Sequence, residues 1–292
     1  MQIQKSFEAK DTGTLYLVPT PIGNLEDMTF RAVNILKEVD LIAAEDTRNT
    51  QKLLNHFGIE TSQISYHEHN ATERAAQLVE RLKKGESIAQ VSDAGMPSIS
   101  DPGVELVHAA LEANISVVPL PGANAALTAL IASGLVPQPF YFYGFLPRKK
   151  KDVQEELEAL NKRQETIVFY ESPHRLKQRI EEMEKVFGPD RRVVLARELT
   201  KRFEEFVRGT LAEVKEWTNS EQLRGEFVVI VEGNDAPEAQ EEQDWATWPL
   251  DEHVSRVMLE QGVSSKVAIK EVAQLRGIQK RDVYAAYHQL DQ

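Results

Sequence analysis

Cysteine is absent from the 292 residues, which excludes disulfides, thiolate metal centres and a cysteine nucleophile. No apolar run approaches the length that spans a bilayer, and the opening MQIQKSFEAKDTG is polar, without a signal-peptide core. A cytoplasmic protein with no membrane partner is therefore expected. Basic charge is in deficit: 34 Lys and Arg stand against 46 Asp and Glu, a net charge of −12. Nonspecific nucleic-acid affinity comes mainly from neutralising phosphates, so a general nucleic-acid coat is disfavoured. The deficit is uneven, however. Residues 235–251 hold six acids and no Lys or Arg, whereas 191–208 hold six bases against three acids, so a local basic surface is compatible with the total.

Glycine is scarce where an α/β protein would most use it. The apolar run LYLV leads into VPTPIGNLEDMTF, a strand-to-helix loop with one glycine, Gly23, and two prolines, Pro19 and Pro21. A phosphate cradle aims several backbone N–H groups at one anion, and glycines let that backbone come close. Two prolines remove two donors and stiffen the path, so neither a Walker loop nor a dinucleotide fingerprint is present. Two readings remain: a rigid turn, or a loop lining a site for a ligand without phosphate.

Strand-length apolar runs alternate with helix-like stretches: LYLV (15–18), DLIAAED (40–46), SIAQVSD (87–93) and ISVVPL (115–120). This alternation predicts an α/β fold with a mostly parallel sheet. Asp101 is placed to cap a helix with Pro102 in its first turn, and Ser172 with Pro173 repeats the pattern, with Gly188 as the stop. The second half carries FYFYGF (140–145), TIVFYE (166–171), RRVVLARE (191–198) and EFVVIVEG (226–233), not all separated by helices, which predicts a mixed sheet. The expected organisation is a flexible lead (1–13), an α/β domain (14–121), a second α/β domain (122–233), an acidic linker (234–250) and a helical segment (251–292). In that last segment Ala273, Gly277 and Val283 have helix-turn-helix spacing, with Lys280 and Arg281 opening the second helix, where phosphate contacts would fall; a plain packing subdomain is the alternative.

Three further clusters carry chemistry. QVSDAGMPSISDPGVEL (90–106) follows a strand, and ligands of doubly wound sheets bind at strand carboxyl ends; Asp93 can pair with an ammonium or sugar hydroxyl while Ala94 and Gly95 admit close approach. AEDTRNT (44–50) crowds Glu45, Asp46 and Arg48 together, with helix capping by Asp46 as the plain alternative. YHEHN sets His67 and His69 two apart, pointing to one side of a strand, but no third ligand is evident and no metal is expected. ESPHR (171–175) and RELTKRFEE (197–205), with Lys149 to Lys151, Arg191, Arg192 and Arg208, supply either a solvated surface or a discontinuous basic face.

The segments PTPIGNLEDMTFRA, AEDTR, HEHN, SDAGMPSISDPG, PGANAALTAL, FYGFLPRKKK, FYESPHR, RELTK and RGEFVVIVEG, in this order over most of residues 14–233, closely resemble the tetrapyrrole-methylase-like class of S-adenosylmethionine-dependent methyltransferases. Within it they look like the branch that methylates ribose in small-subunit ribosomal RNA. The resemblance implies two α/β domains with S-adenosylmethionine in the cleft between them, a homodimer, and methyl transfer to the 2′ oxygen of a cytidine in the decoding region of 16S rRNA. The Gly-rich first loop of corrin and porphyrin methylases is replaced here by PTPIGN, which weakens a tetrapyrrole substrate.

By the same resemblance the cofactor meets Pro19, Thr20, Pro21, Asp93, Ala94, Gly95, Ser98, Ile99, Asn124, Ala125 and the backbone near Gly144. RNA would meet Arg48, His174, Arg175, Arg197, Lys201, Lys280 and Arg281. Because a ribose hydroxyl is a poor nucleophile until its proton leaves, a base or a cation is required, and Glu45, Asp46 and Lys201 are the expected catalytic residues. A small-molecule methylase of the tetrapyrrole kind and a non-catalytic nucleic-acid-binding regulator are the competing expectations.

Overall fold

The computed structural model describes residues 1–6, 8, 11–235 and 248–288. Most of the acidic segment 234–250 lies outside the described residues. The chain forms two compact units, residues 1–234 and 235–292.

The first half of the larger unit runs β1 (Thr14–Leu17), α1 (Phe30–Glu38), β2 (Leu41–Ala44), α2 (Thr47–Phe57), β3 (Gln63–Ser65), α3 (Ala71–Lys83), β4 (Ile88–Val91), α4 (Val104–Glu112) and β5 (Ser116–Pro119). The strands form one parallel sheet in the order β3-β2-β4-β1-β5. Every residue of β2 and β4 is buried, as expected for strands covered on both faces. One face packs Leu15, Leu41 and Ile88 with Leu78 and Leu106 from the helices; the other packs Val18, Ile42 and Ala89 with Leu36 and Leu54. Gln4, in the expected flexible lead, accepts from the Val117 amide and donates to the Val117 carbonyl, both at 2.9 Å.

The second half runs α5 (Ala125–Ser133), β6 (Phe140–Phe145), α6 (Lys150–Leu160), β7 (Thr166–Glu171), α7 (Pro173–Phe187), β8 (Arg192–Arg197), β9 (Glu205–Thr210), α8 (Leu211–Ser220) and β10 (Phe227–Val231). Its sheet has the order β6-β7-β10-β8-β9, with β6 and β7 parallel and the other neighbours antiparallel, so it is mixed, as the sequence predicts. Period-two alternation divides its core. Ile167, Phe169, Val193, Leu195, Val229 and Val231 face α6, α7 and α8, while Val168, Val194, Val228 and Ile230 face α5.

Each of the eight apolar runs contains a strand. The strands missing from the sequence reading, β3 and β9, are edge strands whose residues are at most half-buried and carry no continuous apolar signal. Pro173 opens α7 and Gly188 ends it. Two local expectations are corrected. Helix α4 starts at Val104 behind Gly103, so Asp101 is not its cap, and Pro102 lies outside its first turn. His67 and His69 are not on a strand: β3 ends at Ser65, His67 precedes a short 3-10 turn, Glu68–Asn70, and His69 lies within it.

The smaller unit contains α9 (Leu250–Gln261), α10 (Ser265–Arg276) and α11 (Lys280–Tyr287) around Val254, Val257, Ala268, Ile269, Val272 and Val283. Gly277 ends α10 in the left-handed conformation, φ 65°, which favours the turn glycine there, and Ala273 and Val283 are buried in the shared apolar cluster of the three helices. Among the described residues no helix is long and apolar enough to cross a membrane.

A buried ion network ties α7 to β7. Arg179, 2% exposed, lies 3.5 Å from the Glu171 carboxylate and donates to Glu182 at 2.6 Å and to the Pro147 carbonyl at 2.7 Å. Arg175 donates to Glu171 at 2.9 Å. Removing one partner leaves buried charge uncompensated, so Arg179→Ala should destabilise the protein by about 3–5 kcal/mol, measured by denaturant unfolding.

Candidate active site

The strand order β2-β4-β1-β5 brings the loops after these four strands side by side at the carboxyl edge of the first sheet. In the second sheet β6, β7 and β8 all run opposite to β10, so their carboxyl ends gather beside its start, where Phe227 pairs with both Glu171 and Arg197. Between these two edges lies a cleft of about 390 Å³. Ile22, Ile99, Ala125, Phe145 and Leu199 give it apolar walls; Glu45, Asp93, Asp101, Glu171, Glu198 and Glu226 bring six carboxylates, and Lys201 an ammonium.

Reciprocal hydrogen bonds hold the floor. The Asp93 amide donates to Glu45 at 3.1 Å, the Asp46 amide to Asp93 at 3.2 Å, and Asn49 to Asp93 at 3.0 Å. Thr20 and Gly95 exchange backbone bonds at 2.9 and 3.0 Å, and the buried Thr20 hydroxyl donates to the Ser92 carbonyl at 3.0 Å. Gly95 (φ 82°) is flanked by Ser98 (φ 70°) and Ser100 (φ 64°), and across the cleft Glu198 (φ 51°) and Thr200 (φ 65°) are also left-handed. Each such non-glycine residue costs on the order of 1–3 kcal/mol, and strain of this kind gathers at functional sites. Gly144, at a bulge in β6 with φ 81°, admits Ser100: a Cβ there would stand 3.2 Å from the Ser100 hydroxyl.

Of the expected residues, Glu45, Asp93, Ala94, Gly95, Ile99, Asn124, Ala125 and Lys201 line the cleft. Pro19, Thr20, Pro21, Ser98 and Gly144 are not among the residues that line it. Ile22 is the first-loop residue on the wall. Asp46 takes the plain alternative: it caps α2 by accepting from the Arg48 amide at 2.8 Å and pairs with the Arg48 guanidinium at 2.7 Å, bonds that hold its carboxyl down at about 2. Arg48 is exposed in that pair. His174 is exposed on the first turn of α7, Arg175 is bound to Glu171, and Arg197 donates to the Arg224 carbonyl at 2.8 Å and to Glu205 at 3.2 Å. Lys280 and Arg281 are exposed at the start of α11 in the smaller unit. Among the described residues no group of three His, Asp or Glu side chains is placed to hold a metal ion.

Sequence reasoning missed Asp101, Tyr170, Glu171, Glu198 and Glu226 on the lining. The Tyr170 hydroxyl accepts from the Ala126 amide at 3.2 Å at the start of α5, while Asn124 caps that helix through the Leu127 amide at 2.9 Å. Lys201 donates to Glu198 at 2.9 Å and to Glu226 at 3.2 Å. Burial opposes its charge, but the two carboxylates outweigh that, so the ammonium is held above its usual value and Glu198 below. In the opposite corner burial raises Glu45, with Asp93 and Asp46 adding repulsion. Asp101 is pushed up to about 7 by burial and then by the Glu45 charge; Ser92 offsets part of this and Asp93 adds to it.

The fold and cleft define an α/β enzyme of the two-domain methylase class: the chain belongs to the tetrapyrrole (corrin/porphyrin) methylase family, whose model matches residues 14–215. Over 98% of both chains it is 58% identical to ribosomal RNA small subunit methyltransferase I of Bacillus subtilis (strain 168), and over 99% of this chain it is 53% identical to the protein of that name from Halalkalibacterium halodurans, all of which is covered. Among solved structures, uroporphyrin-III C-methyl transferase from Thermus thermophilus, complexed with S-adenosyl homocysteine, shares the fold at a TM-score of 0.55 and 19% identity, over 75% of this chain and 97% of that one. Cobalt precorrin-4 methyltransferase, a cobalamin biosynthetic enzyme, does so at 0.58 and 18% identity, over 75% and 94%.

The Asp101 shift carries a sign that stability measurements read. Its folded value, about 7, exceeds the unfolded value of 3.8, so folding is penalised increasingly as pH rises from about 4 to 7 and fully above that. Asp101→Asn removes the penalty. It should stabilise the protein at pH 8 by about 1–2 kcal/mol, allowing for the carboxyl's partial contact with solvent, and give no gain at pH 4, measured by thermal unfolding at both values.

Proposed function

We propose that this protein transfers the methyl group of S-adenosylmethionine to the 2′ oxygen of a cytidine ribose in the decoding region of 16S rRNA, within the small ribosomal subunit. The observation that carries this reading is the 58% identity, over nearly the full length of both chains, to a ribosomal RNA small subunit methyltransferase I. The ribose hydroxyl and the cytidine rest on the resemblance of the loop motifs. The same resemblance supports a homodimer, and ribosomal RNA as substrate supports a cytoplasmic location.

The cleft fits the cofactor. Its first loop is clamped by prolines and offers no phosphate cradle, and apolar walls meet an acidic corner formed by Glu45, Asp93 and Asp101, which favours a ligand carrying positive charge. Ile22, Asp93 to Gly95, Ile99, Asn124 and Ala125 are the residues that would hold it. When bound, S-adenosylmethionine supplies an electrophilic methyl group. The protein must orient the hydroxyl, exclude water and deal with its proton and developing negative charge.

Of the three catalytic residues expected from sequence, Asp46 is occupied as a cap outside the cleft lining. Lys201 stays an ammonium, so it acts as a cation that stabilises the developing alkoxide or holds an adjacent phosphate, not as a base. Glu45 fixes the Asp93 loop and sets the charge of the acidic corner. Arg48, Arg175 and Arg197, with Lys280 and Arg281 of the helical unit, supply charge for RNA, and His174 a polar contact.

The deciding experiment incubates the protein with methyl-labelled S-adenosylmethionine and small subunits from cells lacking it, then maps the modified nucleotide. Label on a cytidine 2′ oxygen is expected; label in a porphyrinoid instead, or absence of cofactor binding, overturns the reading. Lys201→Ala should lower kcat by about 10²-fold with cofactor affinity changed by less than about threefold, read by single-turnover assay and calorimetry. Replacing both Lys280 and Arg281 by Ala should weaken subunit binding and reduce the slope of log K against log salt by nearly two, measured by filter binding across a salt series.

A further inference from the structure

We infer that Phe203 is a stacking platform for a nucleobase of the substrate RNA, next to the nucleotide that enters the cleft. The inference rests on the methyl-transfer reading above and deepens it by naming an RNA contact outside the cofactor site. Strands β8 and β9 form an antiparallel hairpin closed by residues 198–204. The first part of this loop belongs to the cleft, whose lining includes Glu198, Leu199 and Lys201. Arg202 and Phe203 follow directly and are exposed, Phe203 at 71%. A phenyl ring left in water gains no burial on folding. Here it stands two residues from the ammonium of the cleft.

The loop is held in shape by its own bonds. Leu199 is buried with Ala126, Ala129 and Leu130 of α5. The Lys201 amide donates to the Glu198 carbonyl at 3.0 Å, the Glu204 amide to the Lys201 carbonyl at 3.1 Å and the Thr200 amide to the Glu204 carboxylate at 2.7 Å, around the left-handed turns at Glu198 and Thr200. An aromatic side chain has only two torsions to fix, so on such a support it binds at low entropic cost. The surroundings suit a polyanion carrying flat bases. The Arg202 guanidinium lies over the Phe203 ring, 5.7 Å from its centroid, and is in no ion pair with a described residue. Of the two carboxylates that follow, Glu204 is turned to the Thr200 amide and Glu205 is paired with Arg197 at 3.2 Å. Phe145, the exposed aromatic at the end of β6, is by contrast part of the cleft wall and meets the Tyr170 ring edge-on at 5.6 Å.

A ribose inside a stacked strand cannot reach into a cleft, so its nucleotide must leave the stack, and the base beside it then loses a neighbour. An aromatic ring just outside the cleft takes that neighbour's place. Every base has a π-face, so the contact adds affinity with little sequence preference, and choice of the nucleotide is left to the cleft. The ring is uncharged, so it adds none of the salt dependence that phosphate contacts bring. That difference separates its role from the role of the basic residues.

The test uses the full-length protein, methyl-labelled S-adenosylmethionine and small subunits from cells lacking the protein, with Phe203→Ala, Phe203→Leu and Phe203→Trp compared. Loss of one stacked base should weaken subunit binding by Phe203→Ala by about 5–100-fold, read by filter binding, and raise KM for subunits by the same factor. The slope of log K against log salt should not change, the calorimetric affinity for S-adenosylmethionine should match wild type, and the thermal transition should be retained. Phe203→Trp should restore subunit binding and Phe203→Leu should not, because a leucine offers no π-face. Phe203→Ala that binds subunits within about twofold of wild type, or Phe203→Leu that binds as tightly as Phe203→Trp, overturns the assignment alone. So does a change of oligomeric state in Phe203→Ala on size-exclusion chromatography, which would give the ring to an interface between copies of the chain. Wild-type protein that labels no RNA overturns the substrate reading, and the assignment falls with it.

Discussion

The cleft depends on one clasp, the bonding of Asp93 to the loop after β2. Strands β2 and β4 are neighbours in a parallel sheet, so their following loops emerge a strand spacing apart. Asp93 closes that gap in both directions, donating its amide to Glu45 and accepting from the Asp46 amide and Asn49. The loop after β1 joins on the other side through the paired backbone bonds of Thr20 and Gly95. Three loops thus become one rigid floor, and the cost is electrostatic. Glu45 and Asp93 must sit together with no cation between them, and Asp101, the next carboxyl along the loop, titrates in their field.

The two halves of the cleft solve the same problem in opposite ways. In the second half Lys201 pairs with both Glu198 and Glu226, contacts that hold the ammonium above and Glu198 below their usual values against the opposing effect of burial. In the first half repulsion is left standing. The two corners therefore differ in charge: one sets an ammonium against two carboxylates, and the other concentrates carboxylates, which favours a ligand carrying positive charge. Strain follows the same division: of the five non-glycine residues with left-handed φ among the described residues, Ser98 and Ser100 shape the first corner and Glu198 and Thr200 the second, while Asn114 only ends a helix.

Much of this was legible in the sequence. Eight apolar runs announced eight strands, and three of the loops after them stood out: that after β1 by two prolines around a single glycine, that after β2 by Glu45, Asp46 and Arg48, and that after β4 by its density of Gly, Pro, Ser and Asp. What was hidden is of two kinds. Edge strands such as β9 gain too little burial to leave an apolar run. Strand order is the other: nothing local in AEDTR or SDAGMP says that β4 lies between β1 and β2, yet that order is what makes Asp93 reach Glu45. Asp101 misled for a related reason. SDPG reads as a helix start, and only the left-handed turns at Ser98 and Ser100 reveal that the helix begins later and frees the carboxyl.

The proline-bearing loop after β1 belongs to this argument as a spacer. Thr20 is buried and its hydroxyl is used on the Ser92 carbonyl, while Pro19 packs on Gly122, where a Cβ would lie 2.6 Å from the proline Cβ. These contacts fix the path up to Ile22, which reaches the cleft wall. Gly23 then passes so close to the Lys201 stem that any Cβ would strike its Cγ, and the ammonium at the end of that stem is the one held by Glu198 and Glu226. The missing side chain is therefore explained by a lysine across the cleft and not by a ligand. A stiff loop that locks the acidic corner at one end and seats the cation at the other sets the distance between the two charges on which a reaction in this cleft would draw.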